Sequence, residues 1–188
     1  MKFKDLPEKR KEELRDKWRE LNVCDDWYED TFDYAKEEAA KFGFSLGNIY
    51  FSGFWSQGDG ASFDGYLKFK ECDADTLHED VRDVYQVLAE AYGLIRIVDG
   101  DATFYIDVKQ NGRYCHENTM DYSFDWTAMS EEGENILESK IEDVEEALRD
   151  YARWIYRTLE EEYEHLTSDE AIDEYLNDQD YNDQGEMQ

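Results

Sequence analysis

Leu14, Trp18 and Leu21 recur at helical spacing behind Pro7, which suits an early helical position, and predict a first helix from about Pro7 to Leu21. Trp27, Thr31, Tyr34, Ala35, Ala39 and Phe42 fall on one helical face and predict a second helix, with Gly43 as its stop. Aromatic runs from Ile49 to Ser56 and from Ala61 to Phe69 flank Gln57-Gly58-Asp59-Gly60 and read as a β-hairpin. Leu77, Val81, Val84, Leu88 and Ala91 alternate spacings of four and three. They predict a third helix, opened by Asp75 or Thr76 and ended by Gly93.

A second hairpin has the clearest pattern. Phe104, Ile106 and Val108 alternate with Tyr105, Asp107 and Lys109, and Asn111-Gly112 suits a type I′ turn. Met120, Tyr122, Phe124 and Trp126 then alternate with Asp121, Ser123 and Asp125, so one face is apolar and the other polar. From Ser130, a stripe of Leu137, Ile141, Val144, Leu148, Tyr151, Ile155, Leu159, Tyr163 and Leu166 predicts a long last helix. A short helix from Ser168 to Leu176 follows. The expected fold is α+β in the order α-α-β-β-α-β-β-α, an antiparallel sheet of about four strands covered by helices. It is expected as a single domain over residues 1–176, with 177–188 a polar, flexible tail.

Charge changes this picture more than composition does. The 188 residues carry 49 Asp and Glu against 20 Lys and Arg, a formal net charge of −29. Such a chain is ill suited to bind nucleic acid or an anionic membrane, because both require cations on the protein. Yet 5 Trp, 14 Tyr and 10 Phe are far more aromatics than a disordered acidic chain would hold. The charge is also uneven. Residues 1–21 hold 8 basic and 6 acidic side chains, whereas 129–188 hold 4 and 21. With no apolar run long enough for a bilayer and no signal-like N-terminus, a cytoplasmic location is expected.

Candidate chemistry is sparse. Cys24, Cys72 and Cys115 are odd in number, fit reduced thiols, and form no metal-binding spacing with His78, His116 or His165. Asp178, Asp180 and Asn182 begin like a calcium loop, but Asp183 stands where Gly is required. The Gly58-Asp59-Gly60 turn lacks a phosphate-loop lysine, and Asp59 would repel phosphate. No cofactor and no metal are expected. Asp59 and Asp64 remain conceivable as an acid and base pair, an enzymatic alternative that no spacing rule selects. The same turn could instead present Trp55 and Gln57 to a partner.

The string Phe51-Ser52-Gly53-Phe54-Trp55-Ser56-Gln57-Gly58-Asp59-Gly60-Ala61-Ser62-Phe63, with Asp26-Trp27-Tyr28 before it and Tyr163 to Glu170 after it, resembles a family of small acidic proteins from bacteria and their phages. Members of that family are loosely labelled antitoxin-like. The resemblance implies a phage or mobile-element setting and no particular mechanism.

The acidic surface suggests the mechanism. A helix over residues 130–166 is about 55 Å long and carries 13 carboxylates, one per roughly 4 Å. A DNA strand carries a phosphate per about 3.4 Å. Glu138, Glu142, Glu145, Glu146 and Asp150, and further on Glu160, Glu161, Glu162 and Glu164, lie away from the apolar stripe. Solubility requires a net charge of only about 2 to 8 in magnitude. The expected function is therefore non-enzymatic inhibition of a basic nucleic-acid-binding protein of a host defence system, of restriction or CRISPR type, by acidic DNA mimicry. Trp55, Gln57 and Asp59 would add specificity. The alternative is an antitoxin-like module that neutralises a partner through the Trp55 loop. An uncovered apolar stripe on the long helix would favour a homodimer.

Overall fold

The computed structural model describes residues 1–182, 186 and 187. Among these residues, α1 (Glu8–Asn22) and α2 (Glu29–Lys41) precede strands β1 (Phe44–Phe51) and β2 (Ala61–Lys68). Then come α3 (Glu79–Val98), β3 (Thr103–Gln110), β4 (Met120–Thr127), α4 (Glu131–Thr167) and α5 (Asp169–Asp178). The fold is α+β, with the expected element order and α5 as the short last helix. The chain divides into two compact units, a larger one over residues 31–157 and a smaller one that joins Met1–Asp30 to the chain from Thr158 onward. No linker marks the division in the sequence, because both boundaries fall inside helices.

In the larger unit the strands form one antiparallel sheet in the order β1-β2-β3-β4. Phe44, Phe63, Leu67, Phe104, Ile106 and Val108 are buried on one face of it. Helix α3 adds Val81, Val84, Leu88 and Ile95 to the buried set, and α4 adds Leu137, Val144, Leu148, Tyr151 and Ile155. Burying each such side chain stabilises the fold by about 1.5–3 kcal/mol. The Tyr151 ring lies 6.2 Å from Phe44 and 6.0 Å from Phe63, and its hydroxyl donates to the Ala35 carbonyl at 2.6 Å. Leu137, Val144, Leu148, Tyr151 and Ile155 of the α4 stripe are thus covered within their own chain, whereas Ile141, Tyr163 and Leu166 are half-buried.

Five local expectations are corrected. The first strand starts at Phe44 rather than Ile49. Gly43, at φ +84°, places the chain so closely against β2 that a Cβ would lie 2.1 Å from the Lys68 carbonyl oxygen. Pairing of Phe44, Ser45 and Leu46 with Leu67, Tyr66 and Gly65 then extends the strand back to the helix stop. A bulge between Leu46 and Ile49 interrupts the register. In turn, Ser52 to Gly60 form a loop, so Phe54 and Trp55 are not strand residues.

Helix α3 begins after the 3-10 turn Ala74–Thr76, which Asp73 caps, and His78 Nδ1 accepts the Asp80 N–H at its own start. It also runs through Gly93 to Val98. The extra turn buries Ile95 completely, which outweighs the roughly 1 kcal/mol cost of a mid-helix glycine. Finally, Asn111-Gly112 is not a two-residue turn. Only Gly112 has positive φ, and β3 and β4 are joined by residues 111–119, held by the Thr119 hydroxyl within 2.9 Å of Gln110 Oε1 and 2.8 Å of the Tyr114 carbonyl.

The smaller unit has its own core of Phe3, Leu6, Leu14, Ile172, Leu176 and Tyr181, with Trp18 packed against it. Trp18 lies 4.5 Å from Tyr175. Here the basic α1 faces the acidic α5: Arg15 bonds Asp173, and Arg19 bonds Asp169. Ser168 Oγ accepts the Ala171 N–H and caps α5. The tail expected from residue 177 starts with the end of α5, and Tyr181 is only 2% exposed. The Met1 ammonium donates to the Tyr181 carbonyl at 2.9 Å. The expectation for residues 183–185 and 188 lies outside the described residues.

Candidate partner-binding surface

The carboxylates picked out on α4 differ in what surrounds them. Glu138 and Glu142 are exposed and make no ion pair among the described residues. Glu145, Glu146 and Asp150 are instead held by two arginines one turn on. Arg149 reaches Glu145 and Glu146, each at 3.0 Å. Arg153 reaches Glu146 at 2.7 Å, Asp150 at 2.5 Å and Glu117 at 3.3 Å. Hydrogen bonds from Arg153 and Arg149 hold the Glu146 carboxyl below its ordinary value. The Arg149 guanidinium also covers the ring of Tyr122 at 5.4 Å. These three carboxylates are therefore part of the protein's internal electrostatics.

In the smaller unit, Glu160, Glu161, Glu162 and Glu164 make no ion pair among the described residues, and Glu161 and Glu164 are exposed. No lysine or arginine follows Arg157 in the chain, so Arg157 is the one cation within a helical turn of Glu160 and Glu161. Within the larger unit, Arg157 reaches Asp80 at 3.3 Å.

The larger unit also contains an acidic groove of about 260 Å³ between α3 and α4, lined by Asp83, Glu90, Lys140, Asp143, Glu146 and Asp150. Lys140 is its only cation. It bonds Glu90 at 2.8 Å and approaches Asp143 at 3.7 Å, leaving an excess of negative charge in a concave site. Low-dielectric walls focus such a field. Asp83, Glu90 and Asp143 were not singled out from the sequence. Asp143, Glu146 and Asp150 recur at helical spacing, but the pairing with α3 is a tertiary fact.

The loop between β1 and β2 is organised around Asp59. Its Oδ2 accepts the backbone N–H of Trp55 at 3.1 Å and of Ser56 at 2.7 Å. The loop is anchored below by Tyr156, whose hydroxyl donates to the Gly53 carbonyl at 2.9 Å and whose ring lies 5.4 Å from Phe54. Trp55 is 79% exposed at the tip, and Gln57 is exposed beside it. Asp59 thus shapes the loop from inside, while Trp55 and Gln57 face outward. Asp64 likewise accepts the Tyr50 hydroxyl at 2.7 Å and the Gln110 N–H at 2.8 Å. Both aspartates serve as acceptors for local donors.

All three thiols lie above the ordinary thiol value. Burial pushes Cys115 and Cys72 up from the ordinary thiol value, and a hydrogen bond to Asp25 does the same for Cys24. Among the described residues no three His, Cys, Asp or Glu side chains are gathered so as to hold a metal ion. No helix among them is long and apolar enough to cross a membrane.

A family model described as a domain of unknown function, DUF8835, matches residues 27–169, from the residue that opens the second predicted helix to the first residue of α5. No curated protein and no solved structure matches the chain.

Proposed function

Because the chain belongs to a family of unknown function, DUF8835, its activity has to be read from its own residues, and we propose that it is a non-enzymatic inhibitor acting by acidic mimicry of DNA. It binds a basic nucleic-acid-binding protein in place of the nucleic acid. The reading extends to the setting implied by the resemblance: a phage or mobile-element protein that acts in the host cytoplasm on a restriction or CRISPR nuclease. The observation that carries it is the acidic surface of the larger unit. There Glu138 and Glu142 make no ion pair among the described residues, and in the α3–α4 groove Asp83, Glu90 and Asp143 face a single lysine, beside Glu146 and Asp150, which Arg149 and Arg153 hold. A net charge of −29 adds long-range attraction for a cationic partner.

The test is cleavage of DNA by purified restriction endonucleases and RNA-guided nucleases with and without the full chain. Inhibition should fall steeply as salt rises, since the attraction is screened. The double variant Glu138→Lys, Glu142→Lys should weaken it by about tenfold or more. Inhibition that ignores salt, or an unaffected double variant, would overturn the proposal.

A second reading is favoured by one observation, the 79% exposure of Trp55 on a loop fixed by Asp59 and Tyr156. A rigid, exposed indole is an efficient interface anchor. In that reading Trp55→Ala removes activity and the charge reversals do not.

A further inference from the structure

We infer that the outer edge of β4 is a docking edge for an extended segment of a partner protein, alternately basic and apolar, which joins the sheet as a fifth strand. The partner's positive charge rests on the function proposed above, whereas the strand pairing rests on the sheet alone.

The two edges of the sheet differ. At β1 the bulge between Leu46 and Ile49 breaks the register, a device that discourages further pairing. At β4 eight consecutive residues pair with β3 without interruption, from Gln110 with Met120 to Thr103 with Thr127. Among the described residues no segment pairs with its other side.

Which backbone groups face outward follows from the ladder. The Asn111 N–H donates to the Thr119 carbonyl at 2.7 Å, which makes 111 and 119 a hydrogen-bonded pair. Alternation then turns Asp121, Ser123, Asp125 and Thr127 toward β3 and leaves the N–H and C=O groups of Met120, Tyr122, Phe124 and Trp126 directed out of the sheet. One independent contact agrees: the Trp126 N–H donates at 2.8 Å to the carboxylate of its neighbour Asp125. That side chain stands where the acceptor of another strand would be.

The side chains define the occupant. One face of the edge carries exposed Asp121, Ser123 and Asp125. The other carries half-buried Tyr122 and Phe124, with Trp126 37% exposed. A strand that alternates lysine or arginine with apolar residues matches both faces. A second copy of this chain does not. Antiparallel pairing of two β4 strands about Ser123 would set Asp121 opposite Asp125, in addition to the repulsion between two chains of charge −29.

The experiment uses the full ¹⁵N-labelled chain and an acetylated, amidated eight-residue peptide of alternating lysine and valine. Amide exchange at Tyr122 and Phe124 should slow by about tenfold on binding, and the same peptide N-methylated at alternate residues should give no protection. Trp126→Pro, which removes an outward donor and leaves the ladder to β3 intact, should weaken binding of the unmodified peptide. Equal protection by the N-methylated peptide would overturn the inference, as would concentration-dependent protection without peptide. Binding confined to Asp83, Glu90 and Asp143 would also overturn it while leaving the acidic-mimic reading in place. No binding at low salt would remove both.

Discussion

Arg15 grips Asp173 with both arms of its guanidinium, Nε to Oδ1 at 2.7 Å and Nη2 to Oδ2 at 2.6 Å, across 158 residues of sequence. The pair joins α1, the one basic stretch of the chain, to the acidic α5, and it is flanked by the bond from Arg19 to Asp169. Part of the sequence's charge asymmetry is therefore consumed inside the smaller unit. Because the fork geometry matters as well as the charge, Arg15→Lys should lower stability by about 1 kcal/mol and Arg15→Ala by about 1–2 kcal/mol. Urea denaturation of the full chain measures both, and a lysine variant as stable as the parent would show that charge alone suffices.

Tyr151 supplies a prediction about the larger unit. Its ring is fully buried between Phe42, Phe44 and Phe63, and its hydroxyl donates to the Ala35 carbonyl at 2.6 Å. Burial raises its phenol well above the ordinary value, so it stays a donor throughout the working pH range. Tyr151→Phe should cost about 1 kcal/mol and Tyr151→Ala about 3–5 kcal/mol, read from thermal and urea unfolding. A loss on Tyr151→Phe close to that of the alanine variant would assign the stabilisation to the hydroxyl rather than the ring.

Asp59→Asn should loosen the Trp55 loop without unfolding the sheet. The change weakens an acceptor shared by two N–H groups, a loss of about 1 kcal/mol confined to residues 52–60. Amide exchange at Trp55 and Ser56 should accelerate while the β2 and β3 amides keep their protection. Uniform acceleration across the sheet would mean that the loop and the core open together.

Glu146 supplies a pH dependence. Arg153 and Arg149 stabilise its charged form, so its folded pKa lies below the unfolded value of about 4.3. A depressed carboxyl contributes stability that is present above the unfolded pKa and is lost as pH falls through the folded one. The parent should therefore be more stable than Glu146→Gln at neutral pH, with the gap closing below about pH 4. Urea midpoints across the pH range test this; a gap independent of pH would show that the arginines do not act on the carboxylate's charge. Half-exposure of the side chain keeps the effect small.

The helices were legible because their apolar stripes are long, and β3 and β4 because their alternation is strict. The start of β1 was not, since Gly47 and Asn48 break the apolar alternation between Leu46 and Ile49, and Phe44 to Leu46 join the strand by pairing with β2 on the far side of that bulge. Gly93 misleads for a related reason: local preference stops a helix there, while burial of Ile95 beyond it extends the helix. The site divides in the same way. Glu138 and Glu142 could be placed on an open face from spacing alone, but the ion pairs of Glu145, Glu146 and Asp150 could not be read there. Although Arg149 and Arg153 stand within one turn of them, nothing in the spacing says which carboxylates those guanidinium groups choose.

By itself the sequence determined the α+β element order, the apolar face of each helix and the net charge of −29, because these depend on periodicity and on counting. Tertiary structure decided which charges meet: Arg15 and Arg19 of α1 pair Asp173 and Asp169 of α5, Arg149 and Arg153 take three of the α4 carboxylates, and α3 meets α4 to form the acidic groove. The reason is that Coulomb energies depend on distance and burial, and side chains far apart in sequence acquire both only when the chain has folded.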